Sequence, residues 1–134
     1  MLIYEAGIYN IKGKQFLSTQ SKYYVVDVGM RNALVKSSES DIGHILENIV
    51  YLELKRRYKN VYVGEIDSGE VDFVSVNDNK YEYYQVSATT LDELAPFAKI
   101  KDNYPKYLLT LDDVFSNADY NGVQKINVLE WLLK

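Results

Sequence analysis

The chain has 134 residues, no cysteine and a formal net charge of −4 at pH 7. This length predicts a single domain, the absence of thiols excludes disulfide frameworks and thiolate zinc sites, and the acidic balance argues against a general nucleic-acid coat protein. No apolar run approaches the roughly 20 residues of a membrane span, and residues 1–5 lack the pattern of a signal peptide. We therefore expect a cytoplasmic protein without a membrane partner.

The first segment is rich in strand-forming residues. Residues 2–9 predict a strand, residues 10–14 a turn, and residues 15–18 and 22–26 two further extended pieces, which gives a β-hairpin followed by another strand. A short helix is predicted over residues 30–35, with an aspartate placed to cap it. The lysines of the hairpin could assist DNA binding, although a solvated turn is the simpler interpretation.

The longest predicted helix begins near Asp41 and ends near Tyr58. Its apolar residues recur with the helical period, which is typical of a helix that packs one face on a sheet. The last turn carries Lys55, Arg56 and Arg57. These cations suit the negative end of the helix dipole, and they could instead contact the phosphates of a nucleic acid.

The second half of the chain alternates between strand and helix patterns. Strands are predicted over residues 61–64, 71–76, 81–86, 106–111 and 122–127. Helices are predicted over residues 90–98 and 128–134. The order predicts an α/β fold of the α+β type, with a central mixed sheet flanked by helices.

Polar residues on the second and third of these strands resemble a known family. Metal-dependent nucleases of the restriction-enzyme type place an Asp on the first strand of such a hairpin and Glu-x-Lys near the end of the second. Here Asp72 is present, while Gln85 stands at the Glu position and Ser87 at the Lys position. Glu47 on the long helix matches an additional acid of that group. The chain therefore resembles the PD-(D/E)XK nuclease-like superfamily, which implies a restriction-endonuclease-like sheet and a degenerate site.

Longer motifs at residues 22–34, 41–54, 69–74 and 101–107 narrow this resemblance. They are similar to the carboxy-terminal module of unknown function in a large group of prokaryotic AAA-type ATPases. That resemblance implies that residues 1–36 are the remnant of a winged-helix-like segment, with the first hairpin as its wing, and that residues 37–134 are the nuclease-like domain. The sequence contains no G-x-x-x-x-G-K-[ST] P-loop, so we expect a fragment whose ATPase domain lies outside this chain.

A nuclease of this superfamily binds Mg²⁺ through two carboxylates and uses a lysine near the attacking water and the phosphate. By this resemblance Asp72 is the one clear ligand. Glu70 lies two residues earlier on the same strand face and could replace the lost carboxylate, with Glu47 as a third acid. Gln85 offers only a neutral oxygen and Ser87 brings no charge. We therefore expect no cofactor and no catalytic residue, with Mg²⁺ at Asp72 and Glu70 as the open alternative.

Three functions from different classes stay open. The first is a non-catalytic nuclease-like module that accompanies an ATPase and recognises a nucleic acid, such as DNA, or a protein partner. The second is a divergent metal-dependent nuclease that uses Asp72, Glu70 and Glu47, with Lys80 or Lys99 in place of the missing lysine. The third is a protein-interaction or dimerisation domain that forms a homodimer through an exposed sheet edge.

Overall fold

The computed structural model describes residues 2–26, 39–67, 69–87, 91–111, 119–120 and 122–134. These described residues form an α+β fold in which eight strands make one mixed sheet. The strands are β1 (Leu2–Asn10), β2 (Gln15–Val26), β3 (Val61–Ile66), β4 (Gly69–Asn77), β5 (Lys80–Ser87), β6 (Lys106–Thr110), β7 (Asp119–Tyr120) and β8 (Val123–Asn127). The helices are α1 (Glu39–Arg57), a 3₁₀ helix (Leu91–Lys99) and α2 (Val128–Leu132). The strand order is β2-β1-β3-β4-β5-β6-β8-β7, and the pairs β1–β3, β5–β6 and β6–β8 are parallel.

β1 and β2 form a long antiparallel hairpin at one edge of the described sheet. The Asn10 side chain accepts the backbone N–H of Gly13 at 2.8 Å, and Lys14 takes a left-handed φ of 50° to close the turn. The prediction of two separate extended pieces after this turn is wrong, because β2 is continuous and a register shift next to Gly7 absorbs the irregularity. The short helix predicted over residues 30–35 lies outside the described residues.

The predicted domain boundary at residue 36 also lies outside the described residues. β1, which precedes it, pairs in parallel with β3, which follows it, from Ile8 beside Val63 to Asn10 beside Glu65. The first hairpin and the later strands therefore share one sheet.

α1 covers one face of the sheet, and the helix predicted over residues 41–58 is confirmed. Leu46, Val50 and Leu54 recur at helical spacing and are buried against the strands. Tyr51 stacks on Tyr24 of β2 with ring centroids 4.4 Å apart, which anchors the hairpin under the helix. No helix in the described part of the chain is long and apolar enough to cross a membrane.

β4 and β5 form the predicted central hairpin. Asn77 pairs with Lys80, and the two residues between them, Asp78 and Asn79, have φ values of 50° and 63°. Left-handed backbone at both central positions is typical of a type I′ turn, in which Asn and Asp are favoured. This turn fixes the register that brings the candidate site residues of the two strands side by side.

The opposite face of the sheet is covered by the 3₁₀ helix, in the place where the sequence predicts a helix. Phe97 and Ile100 pack with Tyr83 of β5 and Leu108 of β6 in a second buried cluster. The site strands β4 and β5 are thus enclosed between α1 on one face and the 3₁₀ helix on the other.

The C-terminal strand and helix are confirmed as β8 and α2. The Asn127 side chain caps α2 by accepting the backbone N–H groups of Leu129 and Glu130. β7 is absent from the sequence prediction, since a two-residue strand carries no measurable periodicity.

Candidate functional site

Asp72 on β4 and Gln85 on β5 each contact the backbone of the other strand. Oδ2 of Asp72 accepts the backbone N–H of Val86 at 2.8 Å, and Oε1 of Gln85 accepts the backbone N–H of Asp72 at 2.9 Å. The backbone ladder between the two strands is described up to the pair of Phe73 and Tyr84. Beyond that pair, the side chains of Asp72 and Gln85 therefore supply hydrogen bonds that hold β4 and β5 together.

Gln85 and Ser87 are buried on the face of the sheet that the 3₁₀ helix covers. Alternate residues of a strand point to opposite faces, and Tyr83 of the same set packs in the cluster on that face. Val86, between them, packs in the cluster on the α1 side. Glu47 on α1 therefore approaches the sheet from the side opposite to the one that Gln85 and Ser87 face.

Glu47 and Glu70 meet at the ammonium group of Lys22 on β2. Nζ of Lys22 lies 3.0 Å from Oε1 of Glu47 and 2.9 Å from Oε1 of Glu70. The hydroxyl of Tyr24 donates to the same Glu47 oxygen at 3.4 Å. Burial acts to lower the pKa of Lys22, but hydrogen bonds to the two carboxylates outweigh it, so its pKa lies above the usual value. Lys22 therefore stays charged and partly neutralises the two acids.

The phenol of Tyr24 lies near all three acids of the predicted nuclease alternative. Burial raises the pKa of Tyr24 far above its usual range, and the negative charges of Glu47, Asp72 and Glu70 raise it further. Even so, within the described residues no group of three or more His, Asp or Glu side chains could hold a metal ion. The cation that Glu47 and Glu70 share is the ammonium group of Lys22.

Lys22 is the member of this cluster that sequence reasoning misses, because the pattern shows it only as one of several lysines in the first hairpin. Its spacing from Tyr24 could have found it, since residues two apart on a strand share a face. Lys80 is exposed and is the first residue of β5, next to the turn at the far end of the β4–β5 hairpin. Nζ of Lys99 lies near the start of β4, 3.6 Å from the position that a Cβ atom on Gly69 would occupy.

Arg56 and Arg57 at the end of α1 are tied into the protein itself. Both contact the carboxylate of Glu53, and the hydrogen bond from Arg56 is the main cause that lowers the pKa of Glu53. Arg57 also donates to the carbonyl of Trp131 at 2.7 Å, which fastens α1 to α2. Lys55 is exposed and donates to a backbone carbonyl just beyond the helix. Of the three predicted phosphate contacts, Lys55 is the one that the described contacts leave without a carboxylate partner.

The other hairpin lysines also form ion pairs. Lys12 lies 2.6 Å from Asp67, and Lys14 lies 2.8 Å from Asp102. Nζ of Lys14 also donates to the hydroxyl of Tyr83 at 2.7 Å. These contacts join the turn of the first hairpin to the central strands, which is a structural role for residues that the sequence assigns to a wing.

The chain is 37% identical over 136 residues to an uncharacterized protein of Haemophilus influenzae, in an alignment that covers 99% of this chain and 34% of that relative. It is 35% identical over 131 residues to an uncharacterized protein of Methanocaldococcus jannaschii, covering 89% of this chain and 28% of that relative. The chain thus spans about a third of the length of these two curated relatives. No protein-family model matches it, and no solved structure matches it significantly.

Proposed function

We propose that this chain is a non-catalytic, nuclease-like module that recognises a nucleic acid or a protein partner within a longer protein. The observation that carries the proposal is the engagement of its acids: Glu47 and Glu70 share the ammonium group of Lys22, and Asp72 accepts a backbone N–H. Metal-dependent phosphodiester cleavage needs carboxylate oxygens that are available to a cation, together with a positive charge near the scissile phosphate. Here one oxygen of each carboxylate already has a partner, and the cation beside Glu47 and Glu70 is an ammonium group, so recognition is favoured over cleavage.

The order of elements supports the nuclease-like part of this proposal. α1 is followed by the antiparallel strands β3, β4 and β5, then by a helix and the parallel strand β6. This is the order on which the resemblance to the PD-(D/E)XK superfamily rests. The greater length of the two relatives leaves room for another domain, and we assign to it the P-loop ATPase that the motif resemblance implies.

A divergent nuclease is the second candidate, because the negative charges of Glu47, Glu70 and Asp72 all raise the pKa of Tyr24 and the three acids therefore lie near one phenol. For these acids to bind Mg²⁺, the ion would compete with the ammonium of Lys22 for Glu47 and Glu70, and with the backbone N–H of Val86 for Asp72. Loss of either contact costs free energy, since the donor would lose its partner.

Thermal unfolding with and without Mg²⁺ or Mn²⁺ separates the two candidates, alongside incubation with plasmid and single-stranded DNA. We expect no rise in Tm and no cleavage, because an ion bound only by the folded state would stabilise it. Metal-dependent cleavage by the wild type that disappears in Asp72→Ala would establish the nuclease and refute the non-catalytic module.

An interaction domain is the third candidate, supported by the position of β2 at an edge of the described sheet. β2 is 12 residues long and carries two exposed aromatic residues, Phe16 and Tyr23. Long edge strands with exposed apolar side chains favour pairing with another chain. Sedimentation equilibrium tests this candidate, and a stable dimer that Tyr23→Lys dissociates would support it.

A further inference from the structure

A pocket opens between β1 and β3, beside the C-terminal end of α1. The two strands pair from Ile8 beside Val63 onward and separate toward their N-terminal ends, where β1 stays beside β2 and β3 stays beside β4. The opening has a volume of about 360 Å³. We call it the β1–β3 slot, and the lining residues that matter here are Glu5, Phe16, Ser21, Lys55, Lys59 and Tyr62.

One wall of the slot is aromatic. Phe16 is 52% exposed, and its ring centroid lies 5.2 Å from that of Tyr62 at an interplanar angle of 50°. Tyr62 is itself held by stacking on Tyr9, with centroids 5.7 Å apart. Phe16 is thus a half-exposed ring packed at an angle against Tyr62, which Tyr9 supports in turn. An exposed aromatic ring of this kind can stack on a nucleobase.

A second wall is basic. Lys55 and Lys59 both line the slot and are exposed, and Nζ of Lys55 donates to the carbonyl of Lys59 at 3.2 Å. In the described part of the chain neither ammonium group forms an ion pair with a carboxylate, in contrast to Arg56 on the same helix. Two ammonium groups without carboxylate partners beside an aromatic platform are complementary to a phosphate attached to a base.

The remaining wall offers hydrogen bonds. The hydroxyl of Ser21 donates to Oε1 of Glu5 at 2.6 Å, which orients that carboxylate in the slot wall. A carboxylate held in this way can accept the amino and imino hydrogens of a base edge. The slot therefore combines groups for the face of a base, for its edge and for an attached phosphate.

From these contacts we propose that the β1–β3 slot binds a nucleotide unit, with its base against Phe16 and Tyr62 and its phosphate at Lys55 and Lys59. The proposal rests on the recognition role given above and assigns it to a nucleic-acid ligand. A free nucleotide and one unit of a single strand share this chemistry. An acidic peptide shares the charge but gains nothing from a flat ring, and it is one outcome of the test.

Fluorescence anisotropy with a labelled single-stranded DNA oligonucleotide, titrated at several salt concentrations, tests the slot. The variants are Lys55→Ala/Lys59→Ala and Phe16→Leu, the latter keeping an apolar side chain at the site. Matched controls are Arg56→Ala on the same helix end and Tyr23→Leu on the same strand. Far-UV circular dichroism and Tm establish that every variant folds.

We expect the double lysine variant to lower the slope of log K against log salt by about 0.7, because the two lysines neutralise one phosphate and each phosphate contact on a single strand contributes about 0.7. Phe16→Leu should weaken binding about tenfold through the lost stacking. The two controls should bind within about twofold of wild type, since a surface charge outside the site contributes little. Competition by unlabelled thymidine monophosphate decides whether one nucleotide suffices or a strand is required.

Three results would overturn the proposal: no binding of either probe, an equal loss in Arg56→Ala, or an unchanged affinity in Phe16→Leu together with displacement by poly-glutamate. Cleavage of the oligonucleotide in Mg²⁺ has a different meaning. Cleavage would refute the non-catalytic function, whereas the proposed nucleotide site in the slot would still be judged by the binding of the variants.

Discussion

Substitution of Gly64 by Ala places a methyl group where the sheet interior has no room. A Cβ on this β3 residue would lie 2.7 Å from Cγ2 of Val74, 2.8 Å from Cδ1 of Ile11 and 3.2 Å from Cβ of Val71. All three neighbours are buried, with exposed fractions of 2% or less. They belong to the cluster under the 3₁₀ helix and cannot move toward solvent, so the strand itself must shift.

The size of the effect follows from two opposing contributions. Forcing an extra methyl group into a packed core costs about 1–3 kcal/mol. Replacing glycine also restricts the unfolded chain, which stabilises the folded state by about 0.4–1 kcal/mol. With the middle of each range, the net loss for Gly64→Ala is about 1.3 kcal/mol, which for a chain of this length corresponds to a fall in Tm of roughly 4–7 °C.

Gly43→Ala is the matched control, because the same change occurs where space is available. Gly43 lies within α1, and a Cβ there would meet nothing within 4 Å. Alanine in a helix is favoured over glycine by about 0.5–1 kcal/mol, so this variant should be more stable than wild type. Urea unfolding followed by circular dichroism measures both. If Gly64→Ala were as stable as Gly43→Ala, the close packing around β3 described above would be wrong.

Three further variants test individual contacts. Asp72→Ala removes the acceptor of the Val86 N–H and should lower the free energy of unfolding by about 1–3 kcal/mol, whereas Asp72→Asn, which keeps an oxygen, should lose less in urea unfolding. Burial acts to raise the pKa of Asp102, but hydrogen bonds from Lys14 and a tyrosine outweigh it, so its folded-state pKa lies below the unfolded value of about 3.9. The stabilisation that ionised Asp102 provides is complete above its unfolded-state pKa and is lost as the pH falls through its folded-state pKa. In Lys14→Met the free energy of unfolding should therefore depend less on pH in the acid range. Arg57→Ala removes the hydrogen bond to the carbonyl of Trp131 in α2 and should speed amide hydrogen exchange in residues 128–134. An unchanged exchange rate would contradict a role of Arg57 in holding α2.

The sequence predicts correctly those elements whose residue pattern lies within one short segment of the chain. The recurrence of apolar residues in α1 and the polar pair Asp78-Asn79 between two apolar strands depend on neighbouring residues alone, and both predictions are confirmed. The polar middle of β2 predicts a loop between two extended pieces. In the structure Ile8 pairs with Leu17 and Gly7 with Ser21, so residues 18–20 form an irregularity inside one continuous strand, and pairing with β1 resumes on both sides of it.

Contacts between distant segments limited what could be predicted of the site. Local sequence places Asp72 and Gln85 on adjacent strands, and their mutual contacts follow from that pairing. The ion pairs of Lys22 with Glu47 and Glu70 join three elements separated by 25 and 48 residues. Their formation depends on how β2 lies under α1, which no pattern within either segment specifies.

The position of the first hairpin changes how function is divided along the chain. Its β2 residues bring Lys22 and Tyr24 to the acids on the α1 side, and its turn brings Lys14 to Asp102 near the opposite face. The same hairpin supplies Phe16 to the β1–β3 slot. A role assigned to residues 37–134 alone would leave Glu47 without its cation and the slot without Phe16. The proposed recognition surface therefore requires the first hairpin and the strands that follow α1 together.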